Sequence, residues 1–383
     1  MSPPGNGGTM LWNKLVRAIK NIWRPDTSTM AGIDIGTTKI AVVIADVISG
    51  NPKIRGVAII PFNGALWSGT DKVAVTARAI ASAIREASKA AGCSTLICVI
   101  GISDITTGKN TESLVRDKRQ VSRSNVLSEV DDANDLTVPN DMTLLDQVVN
   151  RFSLDGMRKF DPQMQIEWSS LKVMTHTIMC RRTVYDVVTS ACKQAKVKLK
   201  KLTSSELASA SMFLTHEEKK QGVCLLDIGG EYTTMIVYEN GALIYTASVP
   251  WAGNHLTSCI GLKLGIDKTE AEKVKIAYSE AGVMVENHRD HVIHGVLNDN
   301  MHELCRLLSC ELQKTHKEYL KAGIVLTGGT SRLPSIIDIF ENVFGLPVRI
   351  AQFPDEIWLR DIPLEYASAV GLVLMGAPSN VSL

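Results

Sequence analysis

No two of the eight cysteines stand in a Cys-x-x-Cys pair, so zinc ribbons and dithiol redox motifs find no support. Cysteines scattered in or beside apolar segments, as at Cys93/Cys98 and Cys305/Cys310, read instead as buried thiols of a cytosolic protein. Excess charge is also missing. The net charge is +1 over 383 residues, so no global field favours nucleic acid or an acidic partner. No uninterrupted apolar run reaches the roughly 18 residues that a bilayer span requires. The apolar stretch near the start is broken by polar residues, unlike a secretory signal. No Ser/His/Asp order suggests a hydrolytic triad, and no basic-plus-aromatic strand pattern suggests single-stranded nucleic acid. His288, His291 and His294 have no carboxylate or cysteine to complete a tetrahedral metal set. Residues 283–296 alternate like a hairpin that turns at 287–290.

What remains is a globular composition, with 45% hydrophobic and 21% charged residues, long enough for two to three domains. Residues 1–9 are flexible by composition. Residues 10–24 change character. Leu11, Trp12, Leu15, Val16, Ile19, Ile22 and Trp23 recur on one face at helical spacing. Lys14, Arg17, Lys20, Asn21 and Arg24 take the other face, and no acid precedes Asp26. Pro25 ends the helix. Such a helix suits a membrane interface, with tryptophans at the headgroup boundary and cations facing anionic lipid. The competing reading is a helix packed on its own domain or on a partner. A basic stretch at Lys193, Lys196, Lys198, Lys200 and Lys201 reads as a solvated helix end and strand edge, with a supplement to a membrane-facing surface as the alternative.

One segment is echoed far downstream. Ala31-Gly-Ile-Asp-Ile-Gly-Thr-Thr-Lys-Ile and Gly222-Val-Cys-Leu-Leu-Asp-Ile-Gly-Gly-Glu-Tyr-Thr-Thr each read as apolar strand, Asp-Ile-Gly turn and second apolar strand. Two such hairpins suggest a duplicated domain closing on a nucleotide from both sides. In the first, Gly36 lets the backbone turn tightly. The amides of Gly36, Thr37 and Thr38 can form an anion-binding concavity, with Thr38 and Lys39 adding donors. Asp34 can hold magnesium through water. In the second, Asp227, Gly229 and Gly230 repeat the geometry. Glu231 then stands where another glycine is expected, and a carboxylate there would repel a phosphate at short range. Thr233 and Thr234 offer hydroxyls but no second carboxylate. Near the other end, a strand runs from Gly323 into Gly328 and Gly329, whose bare backbone can lie flat against an adenine or ribose.

In this order the three motifs resemble the actin/Hsp70/hexokinase superfamily, and more specifically the FtsA family of bacterial division proteins. The resemblance runs from about Met30 to Gly376 and is densest over residues 222–281, through Gly222-Val-Cys-Leu-Leu-Asp-Ile-Gly-Gly, Val249-Pro-Trp-Ala-Gly-Asn-His and Ala271-Glu-Lys-Val-Lys. It implies an α/β fold, actin-like duplicated ribonuclease-H-type domains around a nucleotide cleft, with an FtsA-type inserted subdomain. The expected organisation is a terminal segment (1–29), a first half (30–220) with its insertion at about 102–172, and a second half (221–383) with a smaller subdomain at about 265–320. By that resemblance Asp34, Gly36, Thr37, Thr38 and Lys39 line the first phosphate loop, and Asp227, Gly229 and Gly230 the second. Glu272 and Lys275 face the ribose, and Gly328 and Gly329 the adenine.

The implied cofactors are ATP and Mg2+. The implied partners are an FtsZ-like tubulin homologue, anionic membrane lipid, other divisome proteins and further copies of the chain, with no nucleic acid. The implied location is the cytoplasmic face of the inner membrane at the division site. Two departures shape these expectations. Glu231 and Thr234 replace a glycine and an acid of the family pattern, so at most a slow ATPase is expected. The family's terminal membrane helix is not seen after the last core helix, and residues 10–24 resemble it moved to the front. The competing functions are a superfamily kinase or ATPase, and a pilus-assembly adaptor.

Overall fold

The computed structural model describes residues 27–48, 51–62, 71–93, 97–104, 107–115, 138–154, 171–281, 288–315, 320–353 and 362–376. The basic amphipathic segment 10–24 lies outside them.

The duplication is written in the strand order. In the first half β1 (Thr27–Ile35), β2 (Lys39–Ile48) and β3 (Asn51–Pro61) form an antiparallel meander. After helix α1 (Lys72–Ala91), β4 (Ile97–Ile102) adds parallel to β1. Next come β5 (Thr107–Val115), β6 (Met142–Leu154), β7 (Leu171–Arg181) and α2 (Arg182–Gln194). Then β8 (Lys198–Ser204) adds parallel to β4, giving the order β3-β2-β1-β4-β8. Helices α3 (Ser205–Phe213) and α4 (His216–Gln221) lead into the second half. There β9 (Val223–Ile228), β10 (Thr233–Glu239) and β11 (Ala242–Val249) repeat the meander. Helices α5 (Gly253–Leu264), α6 (Lys268–Ala281) and α7 (His288–Leu312) precede β12 (Ile324–Thr327). Helix α8 (Ile336–Phe344) connects it to β13 (Val348–Ile350), and both strands run parallel to β9. The order β13-β12-β9-β10-β11 therefore matches the first sheet strand for strand. Helix α9 (Ala367–Gly376) closes the described chain.

The apolar runs of the central strands follow from burial on both faces. In β9, Val223 and Leu225 join the core of the first half, while Cys224, Leu226 and Ile228 join that of the second. Residues Ile324, Val325 and Leu326 of β12 alternate in the same way. Successive side chains of a strand point to opposite faces, so one strand serves two cores. Helices α3 and α9 pack together at this junction. Gly371 brings α9 onto the Ala208 carbonyl, where a Cβ would lie 2.4 Å from the oxygen. Ser209 and Ser368 hydroxyls meet at 2.8 Å.

The segment between β4 and α2 contributes an antiparallel sheet in the order β5-β7-β6, extending the second sheet beyond β11. Its join to β11 has one ladder pair, Thr107 with Ala247. Side chains supply further links. Asn150 exchanges two bonds with the backbone of Leu243, its amide donating at 2.6 Å and its carbonyl accepting at 2.9 Å. Asn110 donates to the Ile244 carbonyl at 2.8 Å. His176 bridges Asn110 and Thr246 at 2.7 and 3.1 Å. Burial pushes the His176 pKa down to about 4, so the ring is neutral at ordinary pH.

Two expectations are corrected. The hairpin read over 283–296 is helical from His288, because Ile293, Val296, Leu297, Met301, Leu304, Leu308 and Leu312 form a buried stripe at helical spacing. A few alternating residues cannot reveal that longer period. The thiols do not share one environment either: Cys98 and Cys305 are buried, Cys93 is half-buried and Cys310 is exposed.

Gly32 of β1 lies under α9, where a Cβ would stand 1.9 Å from the Ala369 carbonyl oxygen. Gly295, inside α7, has open space around it. In chemical denaturation, Gly32→Ala is expected to cost about 1–3 kcal/mol or more by overpacking. Gly295→Ala is expected to gain roughly 0.5–1 kcal/mol by helix propensity.

Candidate functional site

The two Asp-Ile-Gly hairpins build the same turn twice and then face each other. The Gly36 N–H donates to the Lys39 carbonyl at 3.0 Å, and the Gly229 N–H to the Tyr232 carbonyl at 3.1 Å. Of the three first-turn amides expected to face an anion, that of Gly36 is thus committed to the turn. Gly230 approaches the first turn closely: a Cβ there would lie 2.5 Å from both Thr37 Oγ1 and Thr38 Cγ2. The second turn is also tied from behind. The Gly229 carbonyl accepts from the Gly253 N–H at 3.0 Å and from Thr330 Oγ1 at 3.1 Å, and the Gly230 carbonyl from the Asn254 N–H at 2.7 Å.

Two carboxylates stand where these hairpins meet. Asp34, buried near the end of β1, accepts a hydrogen bond from Ser205 Oγ at 2.5 Å. Burial raises its pKa, and the Ser205 hydroxyl and the Lys39 ammonium pull it partly back. Asp227, near the end of β9, is pushed up to about 6 by burial and by the charge of Asp34, again opposed by Lys39. Lys39 is therefore the shared cation of a mutually repelling pair. This donor set fits a hard divalent cation bound with an anion: hard oxygen donors for the metal, and hydroxyl and ammonium donors for the anion.

The other expected residues converge on the same place. Gly328, at φ 88°, lies against β9, where a Cβ would meet the Ile228 carbonyl oxygen at 2.4 Å and Asp227 Oδ1 at 2.5 Å. Gly329 is exposed and faces open space. Lys275 is buried, and its ammonium donates to the Gly253 carbonyl, Thr257 Oγ1 and Glu272 Oε2 at 3.1, 2.9 and 2.8 Å. It locks α6 to the start of α5, while Glu272 keeps 41% of its side chain exposed. Glu231 is half-buried within electrostatic reach of Lys268 and Arg181, and desolvation raises its pKa. Thr233 Oγ1 donates to the Trp251 carbonyl at 2.7 Å, and the Thr234 hydroxyl meets Ser248 Oγ at 3.0 Å.

Sequence reading missed two features here. Glu206, in the first turn of α3, is only 2% exposed. Burial and the charge of Asp227 push its pKa up to about 8, while the Ser204 hydroxyl donates to it at 2.6 Å. In sequence an acid after an N-cap serine looks like ordinary helix-dipole chemistry. The second feature is Arg181, the last residue of β7. It ion-pairs with the fully buried Asp104, and its guanidinium sits 6.0 Å from the centre of the Tyr232 ring. No local pattern links residues so far apart in the chain.

The duplicated sheets, the facing turns and the glycine-lined exit of β12 define an actin-like protein. Solved structures agree on the fold. A chain of a PilM–PilN type IV pilus biogenesis complex matches with TM-score 0.62 at 20% identity, over 91% of this chain and 99% of that one. MreB5 of Spiroplasma citri bound to AMPPNP matches with TM-score 0.52 at 13% identity, over 92% and 95%. A family model described as cell division protein FtsA matches residues 224–371. Relatives carrying that description are 27% identical in Pseudomonas aeruginosa, over 91% of this chain and 89% of the relative. The Neisseria meningitidis relative is 29% identical over 83% and 82%, and the Escherichia coli relative 25% identical over 93% and 92%. Over most of its length the chain is therefore similar to cell division protein FtsA, and it matches that family's model over residues 224–371.

Glu206 gives this site a pH signature. Its folded pKa is raised, so its contribution to stability is full below about 4.5 and is lost as pH rises through about 8. Asp227 acts with the same sign up to about 6. Glu206→Gln should remove the first dependence. Between pH 5 and pH 9, denaturant titrations should show wild-type stability falling by on the order of a few kcal/mol more than the variant's.

Proposed function

We propose that the chain is an actin-like, ATP-binding cell-division protein. In this reading it links FtsZ-type filaments to the cytoplasmic face of the inner membrane at the division site, and it self-associates. The observation that carries the reading is the pair of facing turns, with Asp34, Lys39 and Asp227 between them, in a chain similar to FtsA proteins along most of its length. Thr37, Thr38 and Lys39 would hold the phosphates from one side and Gly229 and Gly230 from the other. Asp34 would hold magnesium through water. Glu272 would face the ribose, positioned by its ion pair with Lys275, and Gly328 and Gly329 the adenine. A bound magnesium ion would supply the positive charge that the two carboxylates call for, and would polarise the phosphates.

Hydrolysis is weak or absent in this reading. Beside the second turn stands Glu231, within reach of two cations, and Thr234, whose hydroxyl is engaged by Ser248. Nucleotide would then act as a clamp whose differential affinity for two states shifts their population. Residues 10–24 would be the lipid anchor, and self-association would multiply one weak contact into many. The likeness to the PilM chain is one of fold, at 20% identity, and adds no argument for a pilus role.

Displacement of a fluorescent ATP analogue in the presence of magnesium tests the nucleotide claim. Gly230→Val would wedge the two turns apart, and its affinity should fall about tenfold or more, at least 1.4 kcal/mol. Equal affinity in the variant, or no binding by the wild type, would count against the reading. Deleting residues 1–25 should abolish co-sedimentation with anionic vesicles; intact binding would remove the anchor.

A further inference from the structure

The nucleotide reading concerns one end of the first sheet, and the other end has its own chemistry. Strand register fixes which residues share it. Thr27 of β1 stands beside Ile48 of β2, and Ile48 beside Asn51 of β3. On the other side Met30 of β1 stands beside Ile97 of β4, and Ile97 beside Lys198 of β8. The starts of β1, β3, β4 and β8 therefore lie along one edge. Asp34, Ile102 and Ser204 lie at the opposite edge, with the facing turns. Seven residue steps along β1, from Thr27 to Asp34, separate the two, about 23 Å at ~3.3 Å per residue.

The edge remote from the turns is basic. Lys193 lies in the last turn of α2, Lys196 in the connection and Lys198 at the start of β8, and all three are exposed. Exposed Lys53 of β3 and Lys89 in the last turn of α1 add to them. Among the described residues of these strand and helix ends, the acids are Asp46 and Glu86. Asp46 is paired with Arg55 at 2.9 Å and accepts from Thr29 Oγ1 at 2.6 Å. Lys200 donates to the last carbonyl of α9, Gly376 O, at 2.7 Å. With a chain net charge of +1, this edge is a local concentration rather than a reflection of composition.

Lys196 is placed against its backbone preference. It follows the end of α2 at φ 57°, the left-handed position where a helix usually ends on glycine. Its N–H bonds the Lys193 carbonyl at 3.1 Å, and the next N–H, of Val197, bonds the Cys192 carbonyl at 2.9 Å. A long cationic side chain occupies a position that glycine would fill with less strain.

The chain's own connectivity brings the amphipathic segment to this edge. Arg24 is three residues from Thr27, so whatever its conformation it lies within about 11 Å of the start of β1. We propose that this edge, with Lys193, Lys196 and Lys198 at its centre, is a second membrane contact that lays the first half on anionic lipid headgroups beside the segment 10–24. The proposal rests on the reading of that segment as a lipid anchor. It also sets the orientation: the facing turns point away from the bilayer and stay open to solutes. Exposed lysines act on a lipid surface only within about a Debye length, ~8 Å at physiological salt, so the contact requires this edge to lie on the headgroups themselves.

The test is co-sedimentation of the full chain with vesicles of phosphatidylglycerol and phosphatidylcholine, and with phosphatidylcholine alone. The combined variant Lys193→Gln, Lys196→Gly, Lys198→Gln should bind the mixed vesicles roughly tenfold more weakly or worse, with a shallower salt dependence. Lys196→Gly alone should keep or raise the melting temperature while weakening binding several-fold, which separates lipid contact from folding. Nucleotide affinity should match the wild type in both. If the combined variant binds as the wild type does, while deletion of residues 1–25 abolishes binding, the anchor stands and this inference is wrong. If the wild type binds neither vesicle, or binds both equally, the anionic contact is overturned.

Discussion

Two carboxylates, Asp34 and Asp227, are held at the ends of equivalent strands in a desolvated gap, where burial raises both pKa values and the charge of Asp34 adds repulsion at Asp227. Everything near the gap answers to that repulsion. Lys39 follows the first turn as the cation common to both. Ser205, at the start of the helix that joins the halves, donates to Asp34. Glu206, the next residue, has its pKa pushed up to about 8, first by burial and then by the charge of Asp227. A fold that arranges like charges this way is arranged for a counter-charge, and the hydroxyls and amides around it suit an anion carried with a cation.

The gap is held from behind by contacts in which bare backbone is the essential feature. Gly32, Gly101 and Gly371 let α9 reach β1, β4 and α3, and Gly328 lets the exit of β12 lie on Asp227. Gly230 allows the two turns to meet. The segment between β4 and α2 is joined differently. One ladder pair and the side chains of Asn110, Asn150 and His176 hold it to β11. At its other end the Arg181–Asp104 pair brings it to Tyr232 of the second turn. A neutral, buried histidine and satisfied amides make that join specific without a continuous backbone ladder.

The first sheet is electrically polar along its strands. One end gathers carboxylates around a desolvated gap; the other gathers exposed lysines around the point where residues 1–26 join the described chain. A near-zero net charge conceals this arrangement, because the sum over a sequence carries no information about where a fold sends each residue. Parallel strands align their starts and ends, so the charge at each strand's start accumulates at one edge.

The sequence by itself determined the duplication, the turns and the family resemblance. The Asp-Ile-Gly hairpins are local features, since a glycine turn between apolar strands is recognisable within about ten residues. The helical register of residues 288–296 was not legible, because a few alternating apolar residues fit a strand as well as a helix, and only packing of the long stripe of α7 decides. Tertiary structure alone decided that Glu206 is a buried acid, that Arg181 meets Asp104 and Tyr232, that Lys275 is spent inside the protein, and that lysines from separate elements share an edge. Those are matters of burial and of contact between residues distant in the chain, and neither is encoded in the spacing of neighbours. The echo of two hairpins stated that something lies between them; the fold decided which charges wait there.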